Sequence, residues 1–234
     1  MIFGKKYTGT IAYLGGVMAL PEPFVWSWTQ MIIYNSDFLV QPGEEICYNR
    51  ANNSYHAFAR NTLVKQMRGD WLLMLDTDHQ FDPDIAARLL FVMNNSPVKV
   101  QVLSAIYQYK NPPYSPKIYQ WDKRGKTFEA IGGWTFPKVN KKGAGLGLVP
   151  IGAGGAGCLL VKREVFDLIT KKLKQDPFDI THPYSEDVSF YLRLKKIGIK
   201  AYCVPEIEYH HLEYRPLSLS DYQKDTVSLK KYKV

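Results

Sequence analysis

Trp71-Leu72-Leu73-Met74-Leu75 puts five apolar side chains in a row, and the chain then reads Asp76-Thr77-Asp78. A strand points its side chains to its two faces in turn, so an extended run without polar alternates is buried on both sides. Such a strand needs a sheet with one layer above it and another below. Residues 10–14, 45–48, 98–106, 157–161 and 199–204 are short apolar runs of the same kind. Between the runs, apolar residues return at helical spacing: Tyr55, Phe58, Ala59, Leu63 and Met67, then Ile85, Leu89 and Met93, then Val165, Ile169 and Leu173, then Val188, Leu192 and the stem of Lys195. This alternation predicts an α/β fold with a mainly parallel central sheet flanked by helices. Asp82-Pro83-Asp84 is expected to start the second of these helices, with Asp82 as N-cap and a first-turn proline. With 234 residues, 46% of them hydrophobic, the chain can bury one large core, and a single domain over 1–234 is expected.

Residues 107–150 break the pattern, being rich in Pro, Gly and aromatics without a clear period, which marks a functional or mobile stretch. The chain from 213 to 234 is polar and basic and ends in Lys230-Lys231-Tyr232-Lys233-Val234. Cys47, Cys158 and Cys203 lie singly in apolar runs without C-x-x-C spacing, which excludes a disulfide framework or a cysteine-rich zinc site and fits a reducing, cytoplasmic setting. The formal charge of +8 suits nucleic acid, an anionic membrane surface or a phosphate-bearing ligand, and does not choose among them. No nucleic-acid motif accompanies the scattered basic residues, so no nucleic-acid partner is expected. No run reaches the roughly 18 apolar residues of a membrane span, which leaves peripheral contact open. Lys5 and Lys6 before the apolar residues 11–20 imitate a signal peptide, but no small-x-small site precedes Pro21, and Gly15-Gly16 reads better as a loop after a first strand.

The chemistry concentrates after the apolar strand. In open α/β sheets ligands bind beyond the carboxyl ends of strands. Asp76 and Asp78, two residues apart at such an end, can present oxygens to one hard divalent cation, which in turn neutralises a diphosphate. Acids after a strand also serve as plain turn residues, so the pair alone does not decide. Gly152-Ala153-Gly154-Gly155-Ala156-Gly157 satisfies G-x-G-x-x-G, but residues 143–150 make a poor preceding strand, and a dinucleotide-binding loop is not expected. Glycines there, Gly154 and Gly155 among them, would let a ligand approach the backbone.

Several stretches in order, Ala59-Arg60-Asn61, then Gly69-Asp70 running into the apolar strand and its D-x-D, then residues 151–166 with their glycine-rich strand and following helix, then Ser185-Glu186-Asp187, then Ile197-Gly198 and a histidine, resemble the GT-A fold glycosyltransferases of the family 2 type. The match runs over residues 60–212. The resemblance implies a single GT-A, Rossmann-like domain, with a nucleotide-sugar and metal half at about 1–106, an acceptor half at about 107–212 and a flexible basic tail at about 213–234. It implies a metal-dependent glycosyltransferase moving one sugar from a nucleoside-diphosphate sugar, with UDP or GDP as the carrier and Mn2+ or Mg2+ as the cation, to a carbohydrate or other hydroxyl acceptor.

By the same resemblance Asp78 binds the metal, Asp76 binds the metal or the ribose, and His211, followed by Leu212, is the third ligand. His210 is its rival; in extended chain the two rings face opposite sides. Arg60 would face the diphosphate or base. Asp187 would be the general base of an inverting transfer, with Glu186 beside it, although both also suit the first turn of a helix capped by Ser185 on electrostatic grounds alone. Residues 14–21 lack the family's usual opening, so no base-binding residues are assigned there. Neither the Q-x-x-R-W motif nor the membrane helices of the family's processive polymerases occur, which implies a soluble enzyme adding one sugar per binding event. The alternatives are a sugar-nucleotide nucleotidyltransferase, against which Gly15-Gly16-Val17-Met18 is not a G-x-G-T-R loop, and a non-catalytic nucleotide- or carbohydrate-binding protein.

Overall fold

The computed structural model describes residues 6–16, 19–52, 55–110, 114–121, 128–130 and 147–213. Much of the irregular stretch at 107–150 and the basic tail lie outside the described residues. The elements run β1 (Lys6–Leu14), α1 (Glu22–Phe38), β2 (Glu44–Ala51), α2 (His56–Gln66), β3 (Trp71–Leu75), β4 (His79–Gln80), α3 (Ile85–Asn95), β5 (Val102–Ile106), β6 (Ile118–Trp121), β7 (Phe128–Ala130), β8 (Val149–Ile151), β9 (Ala153–Gly154), β10 (Cys158–Lys162), α4 (Arg163–Leu173), α5 (Glu186–Ile197), β11 (Ala201–Glu208) and β12 (His210–His211).

The main sheet has the order β2-β1-β3-β10-β5-β11-β8. Strands β2, β1, β3, β5 and β11 share one direction, whereas β10 runs antiparallel to both β3 and β5, and β8 antiparallel to β11. The expected mainly parallel sheet with helical layers is therefore observed. Every residue of β3 is buried, and its side chains divide between two cores. Leu72 and Met74 pack with Leu63 of α2, Val165 and Ile169 of α4 and Phe190 of α5. Leu73 and Leu75 pack with Phe24 and Met31 of α1 and with Leu89 and Met93 of α3. Each such side chain contributes about 1.5–3 kcal/mol when taken fully out of water. Two small sheets, β12-β4 and β7-β6-β9, lie outside the main one. Among the described residues no helix is long and apolar enough to cross a membrane.

Two features depart from the sequence expectations. The 17-residue helix α1 was not foreseen. Its inward face carries Ser27 and Asn35 beside Phe24 and Met31, while Val25, Trp26 and Ile33 point outward, so its apolar period is blurred. Ser27 accepts the backbone N–H of Phe81, and Asn35 donates to the Tyr48 hydroxyl, which is why polar residues are tolerated there. The start of α3 also falls later than expected. Asp82-Pro83-Asp84 forms a turn closed by the N–H of Ile85 on the Asp82 carbonyl, and Asp84 occupies the N-cap position.

At the entry to β3 the chain turns on Gly69, at φ +74°. A Cβ on Gly69 would lie 2.3 Å from backbone atoms of Thr8 and Gly9. Gly69→Ala therefore combines a left-handed backbone with a backbone clash, and urea unfolding should show a loss of more than about 1 kcal/mol. A wild-type midpoint for that variant would mean the turn adapts and does not pin the start of β3.

Candidate functional site

Strand β3 ends where the N–H of Asp76 binds the Gly157 carbonyl, so the acidic turn leaves the sheet beside β10. Thr77 between the two acids is buried. From there β4 pairs antiparallel with β12, placing His79 opposite His211 and Gln80 opposite His210. The N–H of Leu212 closes the arrangement on the Asp78 carbonyl at 2.7 Å, and the Tyr209 hydroxyl donates to the Asp76 carbonyl at 3.0 Å. A two-residue ladder thus brings the end of the described chain back onto the acidic turn.

The consequence is chemical. His211 Nδ1 lies 2.8 Å from the Gln108 carbonyl, which can only accept, so this nitrogen carries the proton. In the neutral ring Nε2 is then a bare lone pair, and it lies 3.1 Å from Asp78 Oδ2. Contact at that distance needs positive charge, either a second proton on Nε2 or a cation beside the two atoms. Lys110 supplies some of it, with Nζ 2.6 Å from the same oxygen. Burial pushes the Asp78 carboxyl upward, but His211, His79 and Lys110 outweigh that and hold it well below the usual carboxylate range. A carbonyl that fixes the tautomer of one imidazole and turns its free nitrogen to a carboxylate is the arrangement metal-binding histidines use. His210, in contrast, is exposed.

His79 was not singled out from the sequence. Its ring is 1% exposed and lies in a column, parallel to His211 at 4.4 Å on one side and to Tyr209 at 4.2 Å on the other, with Tyr107 edge-on. Its Nδ1 approaches Asp78 Oδ1 to 2.9 Å without hydrogen-bond geometry, and among the described residues neither ring nitrogen has a hydrogen-bond partner. Unpaired buried polar atoms cost about 1–3 kcal/mol each. Burial pushes the His79 imidazole below its ordinary value against the pull of Asp78, which favours the neutral, lone-pair-bearing ring. One donor atom each from Asp78, His79 and His211 lies within 4.8 Å of the others, and of the two parallel imidazoles one can direct its lone pair to an ion beside Asp78. Asp76, expected as a possible ligand, lies outside this set.

Asp76 turns instead to Arg60. The Arg60 guanidinium is 2% exposed, and its Nη2 lies 2.9 Å from Asp76 Oδ1 and 3.2 Å from Oδ2. Its Nη1 donates to the Ala156 carbonyl at 2.9 Å and its Nε to Glu186 Oε1 at 3.4 Å. Despite its burial it stays charged, because Asp76, Glu186 and Asp187 push its pKa further up. Arg60 was expected to face the diphosphate or base; the structure has it enclosed between the two acidic motifs, its three nitrogens committed to protein. Neither motif spacing nor periodicity distinguishes these two positions for an arginine.

Glu186 and Asp187 open α5, as expected, with Ser185 at the N-cap position. The Ser185 hydroxyl does not cap the backbone but binds Asp187 Oδ1, which also accepts the N–H of Val188 at 2.8 Å. Asp187 Oδ2 lies 3.9 Å from Lys117 Nζ. The glycines have a reason of their own. A Cβ on Gly155 would fall 1.8 Å from the Tyr107 hydroxyl, and one on Gly154 would press on Ile151 and Tyr191 at 3.3 Å. At Gly155 a protein side chain, Tyr107, accounts for the missing Cβ; at Gly154 the neighbours would have to give by a few tenths of an ångström. A strand, β10, follows them where a dinucleotide fingerprint needs a helix.

No curated protein sequence matches the chain. Among solved structures it is similar to A197 from STIV, at 16% identity and a TM-score of 0.52, covering 88% of this chain and 86% of that one. It is also similar to GalNAc-T7, determined with UDP, GalNAc and Mn2+, at 12% identity and a TM-score of 0.54, covering 90% of this chain and 43% of that one. A CMP:2-keto-3-deoxy-manno-octonic acid synthetase complexed with CTP gives 13% identity and a TM-score of 0.47, over 98% of this chain and all of that one. The first two likenesses concern the fold. The family model described as glycosyl transferase family 2 matches residues 36–169, more than half of the chain, from the end of α1 through the acidic turn and the glycine-rich strand into α4. On that match, the chain with its acidic turn at the end of β3 belongs to glycosyl transferase family 2.

Proposed function

We propose that this chain transfers one sugar from a nucleoside-diphosphate sugar, UDP- or GDP-linked, to an acceptor hydroxyl, with a divalent cation at Asp78 and His211. The observation that carries the proposal is His211 Nε2 facing the Asp78 carboxylate at 3.1 Å, with Nδ1 held by the Gln108 carbonyl, at the carboxyl end of the buried strand. The cation, when bound, neutralises the diphosphate and makes it a better leaving group. Asp76, on the Arg60 side of the turn, takes the nucleotide's ribose.

Asp187 is the base in this proposal. The Ser185 hydroxyl and the Val188 N–H fix Oδ1, so Oδ2 is the oxygen left to receive a proton. As the acceptor oxygen bonds to the anomeric carbon, its proton passes to Asp187 Oδ2. The bond from that carbon to the diphosphate oxygen breaks, and its electron pair leaves with the nucleoside diphosphate. Arg60 acts from behind: by tying Asp76 to Glu186 it sets the distance between donor and base.

Asp78→Ala should abolish the metal-dependent part of nucleoside-diphosphate binding while leaving the fold intact. Titrating UDP and GDP with and without Mn2+ tests this; binding that neither the variant nor a chelator alters would remove the metal from the site. In the same assay His211→Ala should weaken Mn2+ binding more than His210→Ala, and the reverse ranking would move the ligand.

Asp187→Asn should lower single-turnover transfer by about two to four orders of magnitude with donor binding nearly intact. Near-normal transfer would exclude Asp187 as base. Arg60→Met should destabilise the chain by about 3–5 kcal/mol, because two carboxylates lose a buried counter-charge. If denaturation instead shows normal stability and only donor affinity falls, Arg60 contacts the donor directly.

A further inference from the structure

We propose that Lys110 is a catalytic residue of the transfer, one that releases Asp78 when a cation is bound and carries its ammonium to the diphosphate of the donor. The inference rests on the metal-dependent reading above and adds a positive charge supplied by the chain itself.

The cationic side chains around the site divide by position. Arg60 has its nitrogens committed to Asp76, Glu186 and the Ala156 carbonyl, so it cannot follow a ligand. Lys117 Nζ stands 3.9 Å from Asp187 Oδ2, beside the proposed base. Lys110 stands at the donor end, with Nζ 2.6 Å from Asp78 Oδ2, the same oxygen that His211 Nε2 approaches to 3.1 Å. The segment that bears it is anchored. The Lys117 N–H binds the Tyr107 carbonyl at 2.9 Å and the Tyr109 N–H binds the Ser115 carbonyl at 3.0 Å, while the Gln108 carbonyl holds His211. Main-chain contacts thus deliver this ammonium to the acidic turn, and the side chain itself is 38% exposed, so its head can move without being dehydrated.

One carboxylate oxygen does not serve two cations equally. An ammonium beside Asp78 Oδ2 offsets the negative charge that a divalent ion needs, and like charges repel at contact distance. When an ion is held by Asp78 and His211, Lys110 therefore loses its place on that oxygen. Its flexible four-carbon stem and three rotatable donors let it turn to the next anion, and the diphosphate proposed to bind at the same turn is that anion. Lysine binds phosphate as a point charge. There Lys110 keeps its proton and donates hydrogen bonds to oxygens whose charge grows as the bond to the anomeric carbon breaks, which favours the transition state over the bound donor. Competition with the ion and attraction to the diphosphate have opposite signs in a variant that lacks the charge. A plain surface ion pair has no such signature.

Calorimetry on the full chain, first with Mn2+ alone and then with UDP and GDP at saturating Mn2+, reads both effects. In Lys110→Met the Mn2+ dissociation constant should fall about 2- to 5-fold, the scale of a partly exposed ion pair. The dissociation constant of UDP or GDP should rise about 10- to 100-fold, the scale of a lost hydrogen bond to a charged group. Lys110→Arg should recover most of the nucleotide affinity. Unchanged affinity for either Mn2+ or nucleotide in Lys110→Met overturns the inference and leaves the Asp78–His211 reading standing. Weaker binding of both does the same, because Lys110 would then support the ion site and not compete for it. No Mn2+ bound by the wild-type chain overturns both.

Discussion

A guanidinium cannot be dehydrated without partners, and Arg60 is almost wholly dehydrated. Its partners are therefore the condition on which the rest of this half of the molecule rests. Asp76 comes from the end of β3, Glu186 from the start of α5 and the Ala156 carbonyl from the glycine-rich turn before β10. Three segments distant in sequence are thus fixed around one positive charge borne by α2. The fork geometry of arginine matters here, since a lysine offers no planar set of donors to reach three directions at once. The sites proposed for the ribose and for the base are two ends of this one cluster.

The second fixed point is the column of rings formed by Phe81, Tyr209, His79 and His211. Flat faces stacked 4–6 Å apart leave little rotational freedom, so the imidazoles are oriented by packing. Tyr107 meets three of these rings or their neighbours edge-on and fills the space left by Gly155. It links the Asp78 side of the site to the glycine-rich turn. Burial drives both tyrosine hydroxyls far above their ordinary pKa, so they remain neutral donors and acceptors.

The sheet was legible in the sequence because its central strands β3, β5 and β10 are buried on both faces, a pattern that only a covered sheet accommodates. The acidic turn, the opening of α5 and the candidacy of His211 were legible as local motifs. What escaped was decided by distant partners. Helix α1 turns Ser27 and Asn35 inward, where the Phe81 N–H and the Tyr48 hydroxyl give each one hydrogen bond, and a period search counts polar residues as outward. The environment of Arg60 depends on Glu186, and that of His79 on Tyr209 and His211; no window along the chain holds both members of either pair. The glycines drew attention to ligand approach, whereas the structure shows a tyrosine in the vacated volume.

Strand β10 lies between β3 and β5, both of which precede it in the chain. The middle of the sheet therefore cannot close in the order of synthesis. Until Cys158–Lys162 emerges, β3 presents an unpaired edge of five apolar residues, and its neighbour on that side does not yet exist. Open edges of this kind invite pairing between chains. The late insertion of one reversed strand makes the newborn chain vulnerable to aggregation at the segment that will later carry the acidic turn, and it delays formation of the site until the sheet is complete.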